Sequence, residues 1–303
     1  MDLQSQPLST DGLIQVKNSA SDLPQRSWIK NGLYKICGRL WSRKWVAHHR
    51  NGRCAMPSTP EDLLAPALRK LEKRIHFTVE DRAAFRALPC SRKHLSAGSY
   101  ILRERDLIEN CCVLLSGFAY RSKIVGNGGR QILSIHIPGD VVDIQHAMLR
   151  VADHNIQMLT PGDVALVPAA AVKELAFKYP TIGQALWLET LVDGSIFREW
   201  IANVGRRDAR TRIAHLLCEF TVRLHATGLT DSNRYELPMT QEQLGDATGL
   251  TAVHVNRTMQ GLRGDRLISS DKRAITIEDW KALTIVGDFD TAYLHPEAAQ
   301  GPP

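Results

Sequence analysis

The period of the apolar positions changes three times along this chain. Leu63, Leu64, Leu68 and Leu71 fall near one helical face, so short helices are expected across residues 61–90. Thr59 and Pro60 before Glu61 and Asp62 make a capping-type start for them. From Gly98 onward the texture becomes short β-rich runs between turn formers. Residues 118–125 and 130–137 flank "GNGG", which reads as a hairpin. Pro138-Gly139-Asp140 and Pro161-Gly162-Asp163 add two tight turns, and "ALVPAAAVKEL" is a strand passing into a helix. This spacing predicts an antiparallel, jelly-roll-like β-roll.

After Pro180 the period becomes helical. Residues 181–204 predict one helix of about 36 Å. Its stripe of Ile196, Phe197, Trp200, Ile201 and Val204 is more apolar than a lone surface helix needs. A dimer interface is expected there, the plainer reading being a helix laid on its own roll. "GRRDARTRIAHLLCEFTVRLHATG" predicts a second amphipathic helix, with Ile213, Leu216, Leu217 and Phe220 as its stripe and Gly228 after its end.

The stretch "TQEQLGDATGLTAVHVNRTMQGL" carries the chemistry. Thr240 with Gln243 forms a capping box, Gly249 suits a sharp turn, and Thr251 caps the next helix. Val255, Met259 and Leu262 repeat at i, i+4, i+7 as a buried stripe. Val253, Asn256, Arg257 and Gln260 occupy the opposite face. Two helices joined by a Gly-containing turn form a helix-turn-helix, whose second helix enters the DNA major groove. An Arg pairs bidentately with guanine, and a thymine methyl gives an exposed Val an apolar partner. Val253, Asn256 and Arg257 are therefore the expected base contacts. Thr240, Gln241, Thr251 and His254 are expected on phosphates. "DRLISSDKRAITIEDWKAL" adds strand, turn, strand and short helix, a wing that would bring Lys272 and Arg273 to the DNA backbone.

Charge changes this picture only in part. The net charge is +6, and residues 1–60 hold nine Lys/Arg against three acids, which is the whole excess. Residues 231–303 hold seven basic and eleven acidic residues, so the usual basic footprint is missing from the reader. The arginines of "GRRDARTR" are the candidates to supply part of it. The basic extension 1–60 reads as a disordered tail or as a non-native segment ahead of a start at Met56. No run of 18 apolar residues and no secretory leader stands in the sequence, so a cytoplasmic protein without membrane contact is expected. None of the six cysteines forms a Cys-x-x-Cys pair.

Roll, long helix and winged helix-turn-helix, in this order, resemble the CRP/FNR family of bacterial transcription regulators. The motifs are the Gly-rich hairpin followed by "IHIPGD", the long helix after Pro180, and "TQEQLGDATGLTAVHVNR" followed by the wing. The resemblance implies an α+β protein that is not an enzyme. It implies a homodimer on a near-palindromic DNA operator, in contact with RNA polymerase. The implied domains are a β-roll over 61–178, a dimerisation helix over 179–205, a winged helix-turn-helix over 206–287 and a tail over 288–303. Cyclic-AMP members of the family place Gly-Glu and Arg-Ser where this chain has Asp143-Ile144 and His154-Asn155. An Ile cannot accept from a ribose hydroxyl, and a neutral His is a poor substitute for a guanidinium fork. These four residues mark the expected effector pocket, for a small molecule other than cyclic AMP or for none. Family members that read cytosine carry an acidic residue where Val253 stands, which predicts a different operator. The rival readings are a cupin-like metal-binding β-roll enzyme and a ligand sensor that does not act through DNA. His136 lacks a second His two places away, and nothing in the spacing brings it together with His146, Asp153 and His154. No cofactor and no metal are expected from sequence.

Overall fold

The computed structural model of the chain describes residues 63–230 and 232–296. The extension 1–60, the start at Met56 and residues 297–303 lie outside them. Two short helices come first, α1 (Ala65–Glu72) and α2 (Val79–Arg86). Leu64, Leu68 and Leu71 are buried as the helical spacing predicts. At the start of α2 the Asp81 amide donates to Thr78 Oγ1 at 3.1 Å, and the Thr78 amide donates back to the Asp81 carboxylate at 2.9 Å.

The roll is two antiparallel sheets. One has the order β1 (Ser91–Leu95), β7 (Gly162–Pro168), β3 (Asn110–Leu114). The other has the order β2 (Tyr100–Leu102), β6 (Asn155–Met158), β4 (Ala119–Ile124), β5 (Arg130–His136). The predicted hairpin is β4–β5, with Ile124 opposite Arg130. Its register shifts between Arg121 and Ser122. Strict alternation would expose one of the two, yet both side chains are buried.

Helix α3 (Ala169–Lys178) follows β7 directly, and α4 spans Pro180–Arg206. Pro180 suits the first turn of α4, where its missing N–H costs nothing. Helix α5 (Ala209–Thr227) starts where Asp208 accepts from the Thr211 amide at 2.9 Å and ends at Gly228, φ +70°. Then come β8 (Arg234–Glu236), α6 (Gln241–Thr248), α7 (Ala252–Gly264), β9 (Ile268–Asp271), β10 (Ala274–Ile277) and α8 (Trp280–Val286). The three strands form an antiparallel sheet in the order β8, β10, β9.

One apolar cluster joins Tyr120 and Ile132 of the hairpin to Trp200 of α4, Phe220 of α5 and Val255 of α7. Roll and helix-turn-helix thus share a core. Two expectations change here. Ile196 and Trp200 are each only 6% exposed, packed inside their own chain. The Trp200 indole N–H also donates to Glu219 at 2.9 Å. Residues 288–296, expected as a tail, fold back: Leu294 is buried, the Tyr293 hydroxyl donates to Glu219 at 2.9 Å, and Arg74 donates to the His295 carbonyl at 2.8 Å.

Charges buried between these elements form a chain of ion pairs. Glu189 of α4 pairs with Lys70 and Arg74 of α1, both at 2.5 Å. Lys70 also meets Asp140 of the first Pro-Gly-Asp turn at 3.0 Å. Asp140 meets Arg223 of α5 at 3.2 Å, and Arg223 meets Glu219 at 3.3 Å. Burial by itself would push the Asp140 pKa up, but Lys70, His136 and Arg223 outweigh it and hold the carboxyl well below the usual range. Glu189 is likewise lowered by Lys70 and Arg74 against the effect of burial.

Carboxylates with depressed folded pKa values contribute stability above their unfolded pKa of about 4 and lose it as pH falls through the folded values. The substitution Asp140→Asn keeps an acceptor for the Ile137 amide, which donates to Asp140 at 3.1 Å, but removes the counter-charge that Lys70 and Arg223 share. It should cost about 3–5 kcal/mol at neutral pH, read as a lower urea midpoint. The gap between wild type and variant should narrow below about pH 4, where the carboxyl of the unfolded chain takes up a proton while the folded one stays ionised.

Candidate nucleic-acid interface

The helix-turn-helix is built by local rules. Thr240 Oγ1 accepts from the Gln243 amide at 3.2 Å, and the Gln243 side chain accepts from the Thr240 amide at 2.9 Å. Gly249 ends α6 with φ +68°, a conformation that costs other residues strain. Thr251 Oγ1 accepts from the His254 amide at 3.3 Å and starts α7. Val255, Met259 and Leu262 are buried on the inner face. Gly245 went unremarked in the sequence pattern, although it lies four residues before Gly249. A Cβ there would stand 2.4 Å from the Leu250 carbonyl oxygen, so the turn closes against a bare backbone.

The outer face of α7 is open. Val253 is 81% exposed, Arg257 is exposed, and Asn256 and His254 are half-buried. Gln241, Lys272 and Arg273 are exposed. Lys272 and Arg273 form the two-residue turn between β9 and β10, since Asp271 pairs with Ala274. Thr240 and Thr251 are exposed, but their hydroxyls already serve as caps.

Three of the four "GRRDARTR" arginines are engaged elsewhere, while Arg206 is exposed. Arg207 pairs with Glu199 at 2.6 Å and Asp288 at 3.0 Å. Arg210 pairs with Asp265. Arg212 donates to the Thr248 carbonyl at 2.9 Å, supplying the C-terminal end of α6 with a donor. A contact absent from the sequence reading ties the roll to the reader: Arg130 of β5 pairs with Asp246 of α6 at 2.6 Å. It joins residues far apart in the chain, so no local pattern announces it.

In the roll, the four expected effector residues are engaged with their own neighbours, and Asp143 also lines a cavity of about 280 Å³ beside Asn110, Cys112 and Leu166. Asp143 is buried and accepts from the Cys112 amide at 2.8 Å. Ile144 belongs to the apolar cluster of the roll and its helices. Asn155 is half-buried and accepts from the Glu104 amide at 3.0 Å. His154 is buried, and its Nδ1 lies 2.6 Å from Asp153 Oδ1. Burial, with Arg121 nearby, lowers its pKa to about 4, so it is neutral at pH 7 and cannot take the place of a guanidinium. Cys111 and Cys112 are buried thiols; burial pushes Cys111 up to about 12 and Cys112 well above the ordinary thiol range, which removes the thiolate a redox sensor needs. A cavity of about 570 Å³ lies apart from these residues, lined by Lys70, Arg74, Asp140, Glu189 and Arg223, whose charges are paired with one another.

A β-roll, a long helix and a winged helix-turn-helix in one chain define a regulator that couples a sensing domain to a DNA reader. Residues 92–179 match the cyclic nucleotide-binding domain family, and residues 211–285 match the Crp-like helix-turn-helix domain. The chain belongs to the CRP/FNR family of transcription regulators and is a DNA-binding protein of that type. It is similar to the transcriptional activator protein FnrL of Cereibacter sphaeroides, 28% identical over 62% of this chain and 76% of that protein. It is also similar to the transcriptional activator protein Anr of Pseudomonas protegens, 22% identical over 68% of this chain and 84% of that protein. Both relatives are transcription activators and not enzymes. The fold is shared with FixK2 of Bradyrhizobium japonicum at a TM-score of 0.61, with 23% identity over 66% of this chain and 98% of that one.

Replacing Gly245 by Ala forces the Leu250 backbone to move. It should cost about 1–3 kcal/mol, read as a lower thermal midpoint, and weaken DNA retention more than the same substitution at Gly264, where a Cβ meets nothing within 4 Å.

Proposed function

We propose that the chain acts in the cytoplasm as a homodimer on a near-palindromic operator, with α7 in the major groove of each half-site. The observation that carries this reading is the outer face of α7, where an 81% exposed Val253 stands one turn from an exposed Arg257. Water is a poor neighbour for that Val, and a thymine methyl is a good one. Arg257 reads a guanine bidentately, and Asn256 bonds a neighbouring base edge. Gln241, His254, Lys272 and Arg273, with the cap residues Thr240 and Thr251, approach phosphates and set the register. The dimer also contacts RNA polymerase.

The dimer seam differs from the stripe expected from sequence. Trp187, Leu191, Gly194, Arg198 and Ile201 recur along α4 at alternating steps of four and three residues, the spacing of a coiled-coil seam. Trp187, Leu191 and Ile201 are exposed, the last at 72%, with Gly194 allowing close approach between them. Phe197 and Val204 flank the seam half-buried. The roll takes an effector other than cyclic AMP: the residues at the nucleotide positions are an apolar side chain, a neutral imidazole and a carboxylate already bonded to a backbone amide.

Two outcomes test this. Arg257→Ala should lose about 1–3 kcal/mol per half-site at one G·C position in an operator selection, while Val253→Glu moves the preference toward cytosine; an equal loss on all sequences makes Arg257 a phosphate contact. Ile201→Asp should convert the dimer to a monomer in sedimentation and abolish operator binding at the same protein concentration.

A further inference from the structure

The roll carries a group of side chains that the DNA reading does not use. A short 3₁₀ turn, Ile144–Ala147, supplies His146, and the segment before β6 supplies Asp153 and His154. One ring nitrogen from each histidine and a carboxylate oxygen of Asp153 lie within 4.8 Å of one another. The two rings lie 5.5 Å apart between centroids, with planes 16° from parallel. His146 is 3% exposed and His154 is 4% exposed. Both ring nitrogens of His146, and Nε2 of His154, are buried without a hydrogen-bond partner among the described residues. Buried polar atoms are normally satisfied, so three orphaned imidazole nitrogens at one place call for a partner that the described residues do not provide.

The second nitrogens identify that partner. His154 Nδ1 stands 2.6 Å from Asp153 Oδ1, which holds the proton on Nδ1 and leaves the lone pair on Nε2. Asp143 Oδ2 lies 3.6 Å from His146 Nδ1, too far for a hydrogen bond, so both nitrogens of the second ring stay open. A carboxylate behind an imidazole with its far nitrogen free is the outer-shell arrangement of metal-bound histidine. The lone pair left on His154 Nε2 selects a cation over an anion. The nearby guanidinium of Arg121 is itself buried and donates to the Val142 carbonyl at 2.6 Å.

We propose that the roll binds one divalent transition-metal ion through His146 and His154, with Asp153 behind His154 as the outer-shell carboxylate. Imidazole and carboxylate suit zinc, cobalt and nickel. Fewer than four protein ligands leave a coordination position open to water or to a small molecule. The site deepens the sensing role of the roll and rests on that reading only for its use in regulation, because the ion is measured without DNA.

The experiment takes the full chain, without an affinity tag and stripped with a chelator, and titrates it with Zn²⁺ against a chromogenic chelator and with Co²⁺ by visible absorption. One ion per chain is expected, with Co²⁺ giving the ligand-field bands of a low-symmetry nitrogen–oxygen site. His146→Ala and His154→Ala should each abolish the bands. The Asp153 side chain is 79% exposed, so Asp153→Asn leaves the fold intact and should weaken binding about 10–100-fold. Failure of the wild-type chain to bind either ion, or unchanged stoichiometry and bands in His146→Ala with the fold verified by circular dichroism, overturns the proposal. An operator-shift assay on the same preparation tests the DNA reading separately.

Discussion

The carboxylate of Asp140 is the constraint on which the rest of the structure depends. It projects from a Pro-Gly-Asp turn of the roll into a space where Lys70 of α1 and Arg223 of α5 converge, 3.0 and 3.2 Å away. Lys70 continues to Glu189 of α4, and Arg223 to Glu219, which also receives Trp200 and Tyr293. Each ion was taken from water at a cost of several kcal/mol, and each recovers that cost only while its partners stay in place. A buried ion pair is weak evidence for net stability but strong evidence for geometry. It fixes how the roll, the long helix and the first helix of the DNA-binding domain meet. Apolar packing among Tyr120, Ile132, Trp200 and Phe220 supplies the area, and the ions supply the register.

How much of this could be read in the sequence depended on the range of the interactions. The helix-turn-helix was legible because its determinants are local: a cap three residues from its partner, a Gly in the left-handed region, a stripe at i, i+4, i+7. The β4–β5 hairpin was legible for the same reason. The long helix was legible as a helix but not in its facing. Its apolar residues wrap more than one side, and periodicity cannot say which side meets the chain's own core. Ile196 and Trp200 went inward, while Trp187 and Leu191, which the stripe did not include, are exposed. Residues 288–296 read as a tail because what anchors them to the core is distant: Phe289 meets His215 of α5, and Tyr293 meets Glu219, 74 residues away. The cluster of His146, Asp153 and His154 was invisible because its members come from a turn and a separate segment with no shared period.

The altered nucleotide positions follow one logic. Exchanging a cyclic-phosphate Arg for His154 removes a fixed charge, and burial then keeps the imidazole neutral. Exchanging the ribose-binding pair for Asp143-Ile144 turns one side chain into the apolar cluster and the other onto the Cys112 amide. The pocket has not become apolar, however. The bulge at Arg121 and Ser122 turns two successive polar side chains inward, and the Arg121 Nε and Ser122 Oγ stay unpartnered among the described residues. Unsatisfied polar groups are costly, so packing alone does not account for their place in the roll.

The charge of the reader poses a last question, since more acids than bases stand in its sequence. Net charge counts every residue alike, whereas binding depends on which charges are free. Asp246 is held by Arg130, Asp265 by Arg210 and Asp288 by Arg207, so part of the acidic excess is already neutralised inside the fold. The same pairing withdraws those arginines from the phosphates. Among the described residues of the reader, the exposed bases without an ion pair are Arg206, Arg257, Arg266, Lys272, Arg273 and Lys281. Free charges of this kind, and not the net count, set how many counterions a phosphate backbone releases, and phosphate contacts position a reader without specifying its sequence.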